Sequence, residues 1–131
     1  MTPQAIVFDL DGTLIDSESL AFVAWERTLS QFGHIFEHKD EALVLGIDLT
    51  GALGNIKRHF QLKQSIETIY QVLGQEWYKL TARGLPTMPG VHELLDLLDA
   101  RQITWGVATN SDYSYAMQHL SHVMAAATHR L

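Results

Sequence analysis

The stretch Ala5-Ile6-Val7-Phe8-Asp9-Leu10-Asp11-Gly12-Thr13 decides the fold class. Four apolar residues end abruptly in two carboxylates and a glycine, which reads as a buried strand delivering polar residues at its carboxyl end. Strands of parallel sheets covered on both faces are continuous apolar runs of this kind. A second run, Ile103-Thr104-Trp105-Gly106-Val107-Ala108, ends in the same way in Thr109-Asn110-Ser111-Asp112. Between the two lies a long helical segment. Asp16-Ser17-Glu18 supplies a helix start, and Phe22, Trp25, Leu29 and Phe32 follow at helical spacing until Gly33 closes the run. From Ile35 to Leu62 the periodicity weakens and Gly46, Gly51 and Gly54 interrupt it, which predicts short helices joined by turns. Ile66, Ile69, Tyr70, Leu73, Trp77 and Leu80 restore helical spacing over Ser65 to Arg83, despite Gly74. Gly84-Leu85-Pro86-Thr87-Met88-Pro89-Gly90 marks a hinge, with two prolines and two glycines in seven residues. Val91 to Ala100 reads as a helix, and Tyr113 to Leu131 as one more, with Ala116, Leu120, Val123 and Met124 on one face. A strand, a helical insert, then helix and strand imply an α/β core.

Composition narrows the function classes. The chain has 131 residues, nine Lys plus Arg against fifteen Asp plus Glu, a formal net charge of −6, 47% hydrophobic residues and no cysteine. That hydrophobic fraction excludes a disordered or collagen-like chain. Without cysteine there is no disulfide framework, thiolate zinc site or cysteine nucleophile. The acidic balance argues against a nucleic-acid partner, because phosphate backbones are met by clustered Lys and Arg. No run approaches the ~20 apolar residues that span a bilayer, and the first residues lack a signal-peptide pattern. A cytoplasmic protein with no membrane partner is expected.

Asp9 and Asp11, at i and i+2 after a strand, repel each other and lose hydration unless a positive charge sits nearby. A divalent cation is the natural remedy, and a hard-oxygen set favours Mg²⁺ over Zn²⁺. Gly12 would let backbone N–H groups approach an anionic ligand. By itself, however, D-x-D-G is equally a solvated turn, and Thr109-Asn110-Ser111 taken alone reads first as a helix N-cap.

The longer string Phe8-Asp9-Leu10-Asp11-Gly12-Thr13-Leu14-Ile15-Asp16-Ser17-Glu18 resembles the first motif of the haloacid dehalogenase-like hydrolase superfamily, in its branch of helical-capped phosphoglycolate phosphatase-like and β-phosphoglucomutase-like proteins. Pro89-Gly90-Val91-His92-Glu93-Leu94-Leu95 and Trp105-Gly106-Val107-Ala108-Thr109-Asn110-Ser111 are similar to that family's return from cap to core and its second motif. The resemblance implies a Rossmann-like parallel-sheet core, here partial, in residues 1–14 and 89–131, with an α-helical cap in residues 15–88. It implies that Asp9 is a nucleophile forming an aspartyl-phosphate and that Asp11 serves as acid, then base. Mg²⁺ would be held by the Asp9 carboxylate and the Asp11 backbone carbonyl. Thr109 would bind a phosphoryl oxygen through its hydroxyl, with the Asn110 backbone assisting. A carboxylic acid at position 11 points to phosphoryl transfer rather than dehalogenation. A lid over the site points to a small phosphorylated metabolite, of sugar-phosphate or phosphoglycolate type. In β-phosphoglucomutase relatives a His follows in the first cap helix, where this chain has Ala21, so a hydrolase is expected ahead of a phosphosugar mutase.

Two of the family's elements are missing from this sequence. Neither the Lys that neutralises the clustered charges nor the late acidic motif that completes the metal site is visible, since the last Lys is Lys79 and the last acid is Asp112. Met124 to Leu131 does not resemble the family. These departures predict a truncated or frameshifted chain. The rival expectation is therefore a catalytically incomplete fragment or interaction module, self-associating through an open sheet edge. His119 with His122, and His34 with His38, have metal-ligand spacing but lack a third ligand, so solvent-facing imidazoles are expected. Trp25, Trp77 and Trp105 read as core aromatics, and Arg58 and His59 as a solvated cap surface.

Overall fold

The computed structural model describes residues 1–128. The final three residues of the helix expected over Tyr113 to Leu131 lie outside that range. In chain order the elements are β1 (Ala5–Phe8), α1 (Glu18–Gln31), a 3₁₀ turn (His38–Leu43), α2 (Leu49–His59), α3 (Ile66–Thr81), α4 (Val91–Ala100), β2 (Thr104–Val107) and α5 (Tyr113–Thr128). They form two compact units, one of Met1–Glu18 with Arg83–Leu131 and one of Ser19–Ala82. No helix among the described residues is long and apolar enough to cross a membrane.

In the first unit β1 and β2 pair in parallel, from Ala5 opposite Thr104 to Phe8 opposite Val107. The Ala108 N–H continues the ladder to the Phe8 carbonyl at 2.9 Å. The fold class is thus the α/β one expected, with a sheet of two strands among the described residues. The expectation that β1 is buried on both faces is corrected. Ala5 and Val7 are exposed, Val7 at 69%, while Ile6 and Phe8 on the alternate face are half-buried. An apolar run predicts burial only where both faces are covered, and here the residues alternate. Much of this unit's core comes from the turn after β1, because Leu10, Leu14 and Ile15 are all at most 1% exposed. Three N–H groups, of Thr13, Leu14 and Ile15, converge on the Leu10 carbonyl at 2.9 to 3.3 Å. Gly12 takes φ +74°, a left-handed conformation that glycine adopts at no steric cost. The chain leaving this unit is tied to the chain returning to it: the Asp16 N–H donates to Pro86 at 2.8 Å and the Met88 N–H to Leu14 at 3.0 Å. The expected hinge is therefore a short antiparallel bridge, Ile15 to Thr87. Val91, Leu95 and Leu98 form the buried stripe of α4, and Ala116, His119 and Val123 that of α5.

The second unit is all helical. Trp25, Leu29, Phe36, Ala52, Leu53, Ile56, Leu62 and Ile69 make one buried cluster, with Phe22, Phe32 and Leu73 packed against it. Asp48 caps α2 by accepting from the Gly51 N–H at 2.7 Å, and Ser65 caps α3 by accepting from the Thr68 N–H at 3.1 Å. Lys57, Arg58 and His59 fill the last turn of α2, where positive charge meets the negative end of the helix dipole. The expectation that Gly51 and Gly54 break the chain is corrected, since both lie inside α2. Burial of Ala52, Leu53 and Ile56 outweighs the roughly 1 kcal/mol that each glycine costs relative to alanine. Ile66 and Tyr70, expected on the apolar face of α3, are 39% and 52% exposed. Of the tryptophans, Trp25 is buried and Trp77 half-buried, and both line an apolar cavity of about 360 Å³ within this unit. Arg58 and His59 are exposed as expected, though each is paired, Arg58 with Asn55 at 2.7 Å and His59 with the buried Asp40 at 3.5 Å.

Candidate active site

Parallel strands bring their carboxyl ends to the same edge, so the turn after β1 and the turn after β2 leave the sheet side by side. That edge is where open α/β sheets bind ligands. Leu10 is fully buried and sits between the two carboxylates; it pins the turn while Asp9 stays exposed and Asp11 half-buried. Asp9 Oδ1 accepts from the Leu10 N–H at 2.8 Å. The Gly12 N–H donates to the Ile15 carbonyl at 2.9 Å, so that donor serves the turn itself.

Asp11 is held from the other turn. Ser111 Oγ donates to Asp11 Oδ2 at 2.7 Å, and Tyr115 Oη donates to Asp11 Oδ1 at 2.9 Å. Thr109 Oγ1 accepts from the Ser111 N–H at 3.1 Å, a local turn that aims the Ser111 hydroxyl and leaves the Thr109 hydroxyl proton for another acceptor. Asn110 and Asp112 are exposed. The structure thus brings Asp11 together with the Thr109–Ser111 turn and adds two residues that sequence reasoning did not assign. Ser111 was visible inside the second motif; Tyr115 follows it by four positions and carried no signal except its spacing.

Behind Tyr115 stands His119, whose ring packs edge-on against the phenol at a centroid distance of 4.5 Å. His119 is 2% exposed, and its Nδ1 has no hydrogen-bond partner. The expectation of a solvent-facing imidazole is corrected for His119, which falls on the buried stripe of α5 with Ala116 and Val123; His122 is exposed. Burial pushes the His119 ring below its ordinary pKa, neighbouring His122 pushes it further down, and Asp11 opposes both. Burial also pushes the Tyr115 phenol far above its usual value, with the adjacent Asp11 carboxylate adding to the rise.

The oxygens at this edge are a hard donor set. Mg²⁺ is commonly held by one or two carboxylates and completes its shell with waters and substrate phosphate. The exposed Asp9 carboxylate fits that demand, whereas no group of three or more His, Cys, Asp or Glu side chains suited to a metal occurs among the described residues. Lys79 belongs to α3 and bonds Glu76 at 2.8 Å.

The model of the family described as haloacid dehalogenase-like hydrolase matches residues 6–128. The match runs past Leu120 into the tail that was expected to fall outside the resemblance. A phosphorylated carbohydrates phosphatase of Thermotoga maritima is 26% identical over 117 residues, covering 89% of this chain and 54% of that protein. A Drosophila melanogaster protein provisionally named a pseudouridine-5′-phosphatase is 30% identical over 105 residues, covering 80% of this chain and 45% of its own. Among solved structures, a Thermotoga maritima protein with a provisional β-phosphoglucomutase label superposes with a TM-score of 0.78 at 25% identity, covering 91% of this chain and 55% of that one. The chain spans about half the length of the curated relatives it matches. With the two motifs converging on one sheet edge and the family match covering nearly all of its length, the chain belongs to the haloacid dehalogenase-like hydrolases.

Proposed function

We propose that this chain carries the nucleophile and the acid/base of a Mg²⁺-dependent phosphatase acting on small phosphate esters, of sugar-phosphate or phosphoglycolate type. The observation that carries the reading is the convergence of Asp11 with Ser111 and the Thr109 turn at the carboxyl ends of two parallel strands. The phosphatase names of the curated relatives support the reaction class. Asp9 attacks phosphorus through a carboxylate oxygen, the ester P–O bond breaks, and Asp11 gives its proton to the departing alkoxide. Water then attacks the aspartyl-phosphate while Asp11 takes the proton back, and the acyl P–O bond breaks to release inorganic phosphate and restore Asp9. A carboxyl group retains acceptor lone pairs in both protonation states, so the Ser111 and Tyr115 hydroxyls can hold Asp11 throughout. The Thr109 hydroxyl and the Asn110 backbone bind phosphoryl oxygens. The Asp9 carboxylate and the Asp11 main-chain carbonyl would hold the cation, which supplies charge neutralisation of the phosphoryl group when bound. Ala21 stands where a mutase-type His is expected, which favours hydrolysis over phosphoryl return to a sugar. The test is Mg²⁺-dependent release of phosphate from an aryl phosphate by the purified chain beside an Asp9→Asn control. Release that the control loses supports the reading, and release equal in both proteins overturns it.

A further inference from the structure

We propose that Tyr115 is a positioning residue for Asp11, fixing the carboxyl group that the reading above uses as acid and base. Two observations meet at this side chain. First, its hydroxyl and that of Ser111 occupy one oxygen each of the same carboxylate, at 2.9 and 2.7 Å, so that rotation about the Asp11 side chain breaks at least one hydrogen bond. A single hydroxyl would leave the group free to swing, whereas two from opposite oxygens define one plane. Second, the Tyr115 ring has its own support. It is half-buried on α5, and the fully buried His119 ring lies edge-on to it at 4.5 Å.

Such a residue changes the reacting geometry without touching substrate, and a misplacement of about 1 Å in a catalytic group can cost ~10²-fold in rate. The test uses the whole chain with carboxyl-¹³C aspartate, its Asp11 resonance identified by loss in Asp11→Asn. In Tyr115→Phe the Asp11 carboxyl resonance moves while that of Asp9 stays, and turnover of an aryl phosphate falls about tenfold in kcat with KM unchanged. Should Tyr115→Phe fail to fold, the ring ζ-carbon of Tyr115, observed in Asp11→Asn, gives the same contact from the other side and is expected to shift. An Asp11 resonance identical in parent and Tyr115→Phe overturns the proposal, as does a shifted resonance with kcat unchanged. A parent chain that releases no phosphate removes the acid/base reading instead, and the positioning role falls with it; the resonance tells the two failures apart.

Discussion

The helical unit and the strand-bearing unit of this chain are held together in different ways. In Ser19–Ala82 a single cluster of apolar side chains from three helices and the segments joining them is buried, with Leu29, Ile56 and Ile69 at 0% exposure. In the other unit the sheet itself contributes little, since Val7 is 69% exposed, and stability rests on the turn residues Leu10, Leu14 and Ile15 together with one stripe from each of α4 and α5. The contrast teaches that the most recognisable sequence motif serves two purposes. Its leucines and isoleucine build the core, and its aspartates, alternating with them, build the site.

Removing core from the helical unit is the largest test of this difference. Leu29→Ala should lower stability by about 3 kcal/mol, as buried Leu→Ala changes do, whereas Val7→Ala on the exposed face of β1 should cost less than about 1 kcal/mol. Chemical denaturation of both variants checks the pair, and equal losses would break the contrast. A smaller effect is expected at Gly84, which has φ +89° and where an added Cβ would lie 3.1 Å from the His122 ring. Gly84→Ala should destabilise by roughly 1 to 2 kcal/mol through the left-handed backbone, and a midpoint shift of the opposite sign would contradict it. The smallest effect is a pH dependence confined to the strand-bearing unit. The His119 pKa is lowered from 6.5 on folding, so the unfolded chain binds more protons near that pH. The resulting stability is present in full above about pH 6.5 and is lost as pH falls toward the lower folded value. His119→Gln should flatten this slope relative to the parent, as read from denaturation midpoints at successive pH values. An unchanged slope would remove His119 as its cause.

Much of the architecture was legible because it is local. Helices α1, α3 and α4 follow from apolar spacing, and Asp9 and Asp11 stand out because an apolar run stops at them. Gly51 and Gly54 misled because propensity is weaker than the burial of their neighbours. The exposure of Val7 was invisible because an apolar run does not say how many of its faces are covered. Tyr115 was missed for a different reason: its contact with Asp11 joins residues 104 positions apart, and only the parallel register of β1 and β2 brings them together. His119 was expected to face solvent, when its place on the stripe with Ala116 and Val123 made it core.

We propose that the two turns at the carboxyl ends of β1 and β2 form a phosphoryl-transfer site. Phosphate release from an aryl phosphate, measured with and without Mg²⁺ for the 131-residue chain and its Asp9→Asn variant, tests it most directly. Mg²⁺-dependent release by the parent and none above background by the variant is the expected result. Release that persists undiminished in Asp9→Asn, or no release from the parent at any Mg²⁺ concentration, would contradict it.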